Sequence, residues 1–223
     1  MFTKSSFIVF LVLLIQGCAT SNTIESEGVV PTYKVYLAGP EVFLPDPVAA
    51  GAKKKAMIEQ LQKKHNWPFK LVGLYPIDNE IPEFAADVKT GLRIYYANID
   101  LMNDADFVTA NMVRFRGPSM DVGTAFEMGY MRGLNKPVFA YYDAVPFYGK
   151  AEIAGIYKDR VAKHYPVSSS DPHKDVHGQS IEDFQMADNL MMVGALDTAN
   201  GSIANDFENV IMQIAEYLIS QEK

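Results

Sequence analysis

The chain has 223 residues, of which 48% are hydrophobic and 21% charged, so it can bury one good core and is read as one domain. Its formal net charge of -7, a pI near 5.1 and the lack of a long basic run argue against nucleic-acid polymers as partners, because phosphate backbones demand clustered Lys and Arg. Small molecules are the expected partner class.

The first segment is set apart from the fold. Lys4 precedes the apolar run Phe7-Ile8-Val9-Phe10-Leu11-Val12-Leu13-Leu14-Ile15, which ends in Gln16-Gly17-Cys18. The run is short for a membrane-spanning helix. With a small residue just before Cys18, it resembles a bacterial lipoprotein signal peptide. Residues 1–17 are then removed and the Cys18 thiol is lipidated; a plain secretory signal or an uncleaved anchor is the alternative. Cys18 is the sole cysteine, so no intramolecular disulfide can form. Repeated acylation there would anchor the protein to the membrane. Ala19 after it, in place of Asp, points to the outer membrane of a bacterial envelope, on the periplasmic side. Residues 18–31 read as the lipidated Cys and a polar tether, and residues 32–223 as the domain.

Within the domain, strand-like runs at 34–38, 70–74, 106–111 and 137–142 alternate with helical patterns at 48–65, 93–104, 121–134 and 205–220. This is the sequence form of a parallel sheet covered by helices, here an α/β, flavodoxin-like (Rossmann-like) three-layer sandwich in a single domain. Residues 143–186 are less periodic and read as a long excursion containing a short helix. Ligands of open parallel sheets bind beyond the carboxyl ends of the strands. Gly39-Pro40 follows the first strand, residues 111–120 the third and Asp143 the fourth, so the candidate segments share one sheet edge.

The run Phe115-Arg116-Gly117-Pro118-Ser119-Met120-Asp121-Val122-Gly123-Thr124-Ala125-Phe126-Glu127-Met128-Gly129 is the most informative. It sets a lone carboxylate, Glu127, in an apolar, small-residue helix behind a loop that ends in a second carboxylate. Burying an unpaired charge is costly, so a chain that does it has a use for it. Ala125, Gly129 and Gly133 recur every four residues and give a smooth packing face. That accounts for helix-interior glycines that cost about 1 kcal/mol each against Ala. Glu127 shares its stripe with Gly123, Tyr130 and Leu134, and spacing alone leaves open an exposed glutamate at a helix boundary.

This run, with Leu134-Asn135-Lys136-Pro137 after it and Tyr36-Leu37-Ala38-Gly39-Pro40-Glu41-Val42-Phe43 near the start, resembles the nucleoside 2-deoxyribosyltransferase family. The resemblance extends from about residue 33 to 142 and returns at Asn189-Leu190-Met191. It implies that Glu127 attacks the anomeric carbon of a 2'-deoxynucleoside, expels the base and holds a covalent deoxyribosyl ester. A second base then takes the sugar with retained configuration, as in the general retaining scheme. It further implies that Asp100, in Asn98-Ile99-Asp100-Leu101, and Asp121 contact the base and assist proton transfer. A protonated carboxyl needs a raised pKa, which apolar surroundings and a nearby carboxylate favour. Asp121 also suits a helix N-cap, and Asp100 a surface helix charge.

By the same resemblance Tyr36 orients the nucleophile, its alternative being a half-buried strand aromatic. Gly39, Pro40, Phe43 and Gly123 bind substrate. Asn189 and Met191 are donated to a neighbouring subunit's site to contact sugar hydroxyls, so a homo-oligomer with shared active sites is expected. The alternative is a capping Asn beside core methionines. The 143–186 region departs from the family's length. The implied partners are 2'-deoxynucleosides and free nucleobases, in nucleoside salvage, and the chemistry needs no cofactor.

The runner-up is a nucleoside N-glycosidase that uses the same glutamate with water as acceptor. Related deoxynucleotide N-hydrolases carry a Ser-rich phosphate pocket, whereas Asp121 would repel a 5'-phosphate. A nucleoside-binding lipoprotein without turnover is a third reading, although every carboxylate that turnover needs is retained. Neither a P-loop nor a Gly-x-Gly-x-x-Gly fingerprint is present. His173 and His177, with Asp171 and Asp175 adjacent, read as solvated and no metal site is expected.

Overall fold

A computed structural model describes residues 30–82, 84–143, 156–198 and 201–221. The expected signal peptide, Cys18 and most of the 18–31 tether lie outside the described residues, as does the first part of the excursion after Asp143.

Four strands, β1 (Thr32–Ala38), β2 (Lys70–Leu74), β3 (Phe107–Asn111) and β4 (Val138–Tyr141), form an all-parallel sheet in the order β2-β1-β3-β4. The helices are α1 (Pro47–His65), α2 (Val88–Asp104), α3 (Val122–Gly133), α4 (Tyr157–His164), α5 (Leu190–Val193) and α6 (Phe207–Gln221). Alternation along β1 sends Val35 and Leu37 to one face and Tyr36 and Ala38 to the other. The first pair packs with Ile58 and Leu61 of α1 and Val210 and Ile214 of α6. The second packs with Met102 of α2 and Met128 and Met131 of α3. The result is the expected three-layer α/β sandwich. Every residue of β3 and β4 is buried, as befits strands covered on both faces.

Local chemistry sets the helix ends. Asp46 caps α1 by accepting a hydrogen bond from the Ala49 N–H at 2.9 Å, Pro47 fills its first turn, and Asn66 closes it in the left-handed region at φ 46°. α2 begins at Val88, five residues before the expected 93, because Asp87 accepts from the Thr90 N–H at 2.7 Å and starts the helix ahead of Gly91. α6 starts at Phe207 and not 205, where Asp206 accepts from the Asn209 N–H. In the excursion, α4 is followed by turns closed by the bridges Val167 to Asp175 and Lys174 to Ser180. His173 and His177 stand exposed there and share no helical face.

Candidate active site

The site forms where β1 and α3 meet. Tyr36 is fully buried, and its hydroxyl donates to Glu127 Oε1 at 2.6 Å. Glu127 is half-buried as a residue, and burial dominates the environment of its carboxylate. Burial pushes that carboxylate up to about 7; the Tyr36 hydrogen bond opposes this rise and the charge of Asp121 adds to it. Burial first, then the Glu127 charge and hydrogen bond, hold the Tyr36 phenol far above its usual range, so it stays a donor. The Tyr36 hydroxyl, a permanent donor, thus holds a carboxylate poised near neutrality in one orientation.

Asp121 is the N-cap of α3, its Oδ2 accepting from the Thr124 N–H at 2.9 Å and the Thr124 hydroxyl at 3.0 Å. Capping and proximity to Glu127 are thus properties of the same buried residue. A Cβ at Gly123 would lie 3.1 Å from Asp121 Oδ2, so the missing side chain keeps that carboxylate uncrowded.

The turn after β1 carries Gly39, Pro40 and Phe43. A Cβ on Gly39 would fall 2.0 Å from Glu41 Oε2, which is why glycine stands there. Glu41 is buried and ion-paired to Lys54 of α1 at 2.7 Å, while Asn111 Nδ2 donates to its Oε1 at 2.8 Å. Phe43 stacks on Phe115 with centroids 5.1 Å apart, and the Arg116 guanidinium lies over both rings. The β1 and β3 loops are thereby joined at the sheet edge. A cavity of about 390 Å³ lies behind Glu41, lined by Asp46, Lys53, Lys54, Met57 and Phe207, against the α1 and α6 layer and so across the sheet from Glu127.

Other expected residues are placed differently. Asp100 is exposed on α2, and among the described residues no hydrogen bond links it to Tyr36, Asp121 or Glu127. Asn98, two positions earlier, lines a cavity of about 260 Å³ with Asn79, Ile77 and Phe84. Asn98 Oδ1 and Asn79 Nδ2 are buried there, with no hydrogen-bond partner among the described residues. Neither amide stands in a motif of its own; the one sequence signal for Asn98 is its place within Asn98-Ile99-Asp100. Asn189 caps α5, accepting from the Met191 N–H at 3.0 Å and donating to Glu182 Oε2 at 2.7 Å. Its capping alternative is therefore realised, but Met191 is 66% exposed and is no core methionine. Among the described residues no group of three or more His, Cys, Asp or Glu could hold a metal.

The family model for nucleoside 2-deoxyribosyltransferase matches residues 35–191, a span that includes Tyr36, Asp121, Glu127 and Asn189. The chain belongs to the nucleoside 2-deoxyribosyltransferase family. Among solved structures, a 2-deoxyribosyltransferase from Leishmania mexicana is 27% identical with a TM-score of 0.54, covering 83% of this chain and 98% of its own. An uncharacterized protein of Schizosaccharomyces pombe is 28% identical over 183 residues, 78% of this chain and 81% of its own length. As in the family's fold, a parallel sheet is flanked by helices, and here the Tyr36–Glu127 pair lies between the sheet and one of them, α3.

Proposed function

We propose that this pentosyltransferase-family chain exchanges the base of a 2'-deoxynucleoside by double displacement on Glu127. The observation that carries the reading is the hydrogen bond from Tyr36 to Glu127, in a pocket whose burial raises the carboxylate's pKa. Tyr36 occupies Oε1, which leaves Oε2 to attack C1'. As that bond forms, the C1'–N bond breaks and its electron pair passes to the departing base. Asp121, with Oδ2 committed to the cap, carries a proton on Oδ1 in the reacting form, hands it to the departing base and recovers one from the incoming base. The second base reverses these steps on the same face, which regenerates the carboxylate and retains the configuration. Asp100, exposed on α2, is given no step.

The reading extends to assembly and location. An apolar strip of Val88, Leu92, Tyr95 and Tyr96 on α2 continues through the Tyr95–Phe126 ring contact to Phe126 and Val122 on α3, all exposed. Such a patch supports self-association, with exposed Met191 and Asn189 offered to a second copy's sugar site. The leader sequence and Cys18 support lipid anchoring in a bacterial cell envelope, where scavenged nucleosides are the available substrates.

The test is incubation of the chain with 2'-deoxyadenosine and free cytosine, followed by chromatography. Deoxycytidine with little free deoxyribose is the expected result. Adenine and deoxyribose without a new nucleoside would reassign the chain to hydrolysis, and no base release at all would remove Glu127 from this role.

A further inference from the structure

Asp188 is a completely buried carboxylate to which the scheme above gives no task. Three segments converge on it. From α4, Arg160, itself nearly buried, reaches Asp188 Oδ2 at 3.2 Å. The same guanidinium donates to the Pro118 carbonyl at 2.6 Å and to the Ala187 carbonyl. From the loop leading into Asp121, the Ser119 hydroxyl donates to Oδ1 at 2.5 Å and the Met120 N–H to Oδ2 at 3.2 Å. From the segment leading into α5, the Asn189 N–H donates to Oδ1 at 2.8 Å. Charge-assisted bonds of this kind, shielded from water, are the strong class.

The loop that Asp188 grips is itself a closed unit. Arg114 bridges to Met120, the Phe115 N–H donates to the Ser119 carbonyl at 2.9 Å, and Arg116 adopts φ 55°. A pull on Ser119 and Met120 is therefore passed directly to Asp121, the next residue. On the other side Asp188 adjoins Asn189, whose amide is in turn held by Glu182.

We propose that Asp188, anchored by Arg160, is a positioning residue that sets the loop carrying Asp121 and the segment carrying Asn189 and Met191 in one register. The roles of those two segments rest on the function proposed above. A carboxylate suits the task because its two oxygens serve the two segments together, while Arg160 neutralises a charge that burial alone would not tolerate.

The test uses the full chain with Asp188→Asn, which keeps the shape and one acceptor but loses the charge. Hydrogen–deuterium exchange is expected to quicken by about tenfold or more in residues 115–122 and 187–193 together, with β3 and α6 unchanged. Base release from 2'-deoxyadenosine is expected to show a lower kcat through Asp121 and a higher KM through Asn189 and Met191. Ser119→Ala cuts one arm only; it should quicken exchange in 115–122 alone and lower kcat with KM held. Wild-type exchange in either segment of folded Asp188→Asn overturns the clamp, as do unchanged kcat and KM. Should Asp188→Asn fail to fold, unchanged exchange at 115–122 in Ser119→Ala overturns it instead. A wild-type chain that releases no base refutes the proposed function, and the exchange experiment still decides the clamp.

Discussion

Glu127 is where the chemistry of the chain can be read one group at a time. Its carboxylate titrates near 7 chiefly because it is buried, and the proposed double displacement requires it ionised. The kcat/KM profile should therefore rise with pH through about 7. Tyr36→Phe removes the one interaction that lowers this pKa, so the rising limb should move to higher pH in a folded variant; an unmoved limb would assign it to another group. The same shift bears on stability. The unfolded glutamate ionises near 4.5 while the folded one retains its proton to about 7. Over that interval the unfolded chain has fewer bound protons, so the group's penalty on folding is absent below the interval, grows through it and is complete above it. Glu127→Gln cannot ionise and escapes the penalty. Its stability relative to wild type should improve by on the order of 2 kcal/mol from pH 5 to pH 8. Urea unfolding at the two pH values measures this, and a difference that does not change with pH would show the carboxylate to be better solvated than its surroundings indicate.

Elements meet at the buried Glu41–Lys54 pair, which ties the turn after β1 to α1. Breaking such a pair from one side strands a charge, so Lys54→Met should cost about 3–5 kcal/mol of unfolding free energy. Glu41→Gln in the same chain should recover most of it, because Asn111 can still hydrogen-bond a carboxamide. Denaturant melts of the two single variants and the double variant would reveal this coupling, and simple additivity would refute it. The sequence held no sign of this pair, since Glu41 and Lys54 are thirteen positions apart in different patterns and only the fold brings them together. The four strands were legible because β-branched and aromatic runs alternate with helical periods, and their residues match to within two positions at each end. The start of α2 was not, because Gly91 masks a helix that Asp87 in fact initiates. The motifs brought Tyr36 and Glu127 together, and the hydrogen bond between them is a contact the fold makes. For Asp100 the string gives no helix phase, and α2 leaves Asp100 exposed while Asn98 lines a cavity.

At the scale of the molecule, the same two helices that cover the Tyr36 face of the sheet leave their outer sides apolar. On α2, Val88, Leu92, Tyr95 and Tyr96 recur at the spacing of one helical stripe, and Tyr96 is 62% exposed. On α3, Val122 and Phe126 are four apart, with Phe126 one residue before Glu127. A second copy seated on this strip would bury aromatic side chains of the kind that dominate interface energies. Phe126→Asp places a charge in the middle of the strip without entering the core, so the variant should remain folded and sediment as a smaller species than wild type. If Asn189 and Met191 complete a neighbour's site, activity should fall with dissociation although Tyr36, Asp121 and Glu127 are intact. Mixing Glu127→Ala with Asn189→Ala subunits separates the two effects, since a hybrid holds one site with both an intact nucleophile and an intact donated segment. Recovery of base exchange on mixing, after subunit exchange has been verified by mass, is the expected outcome. No recovery would mean that each chain completes its site alone, and that the apolar strip serves association without catalysis.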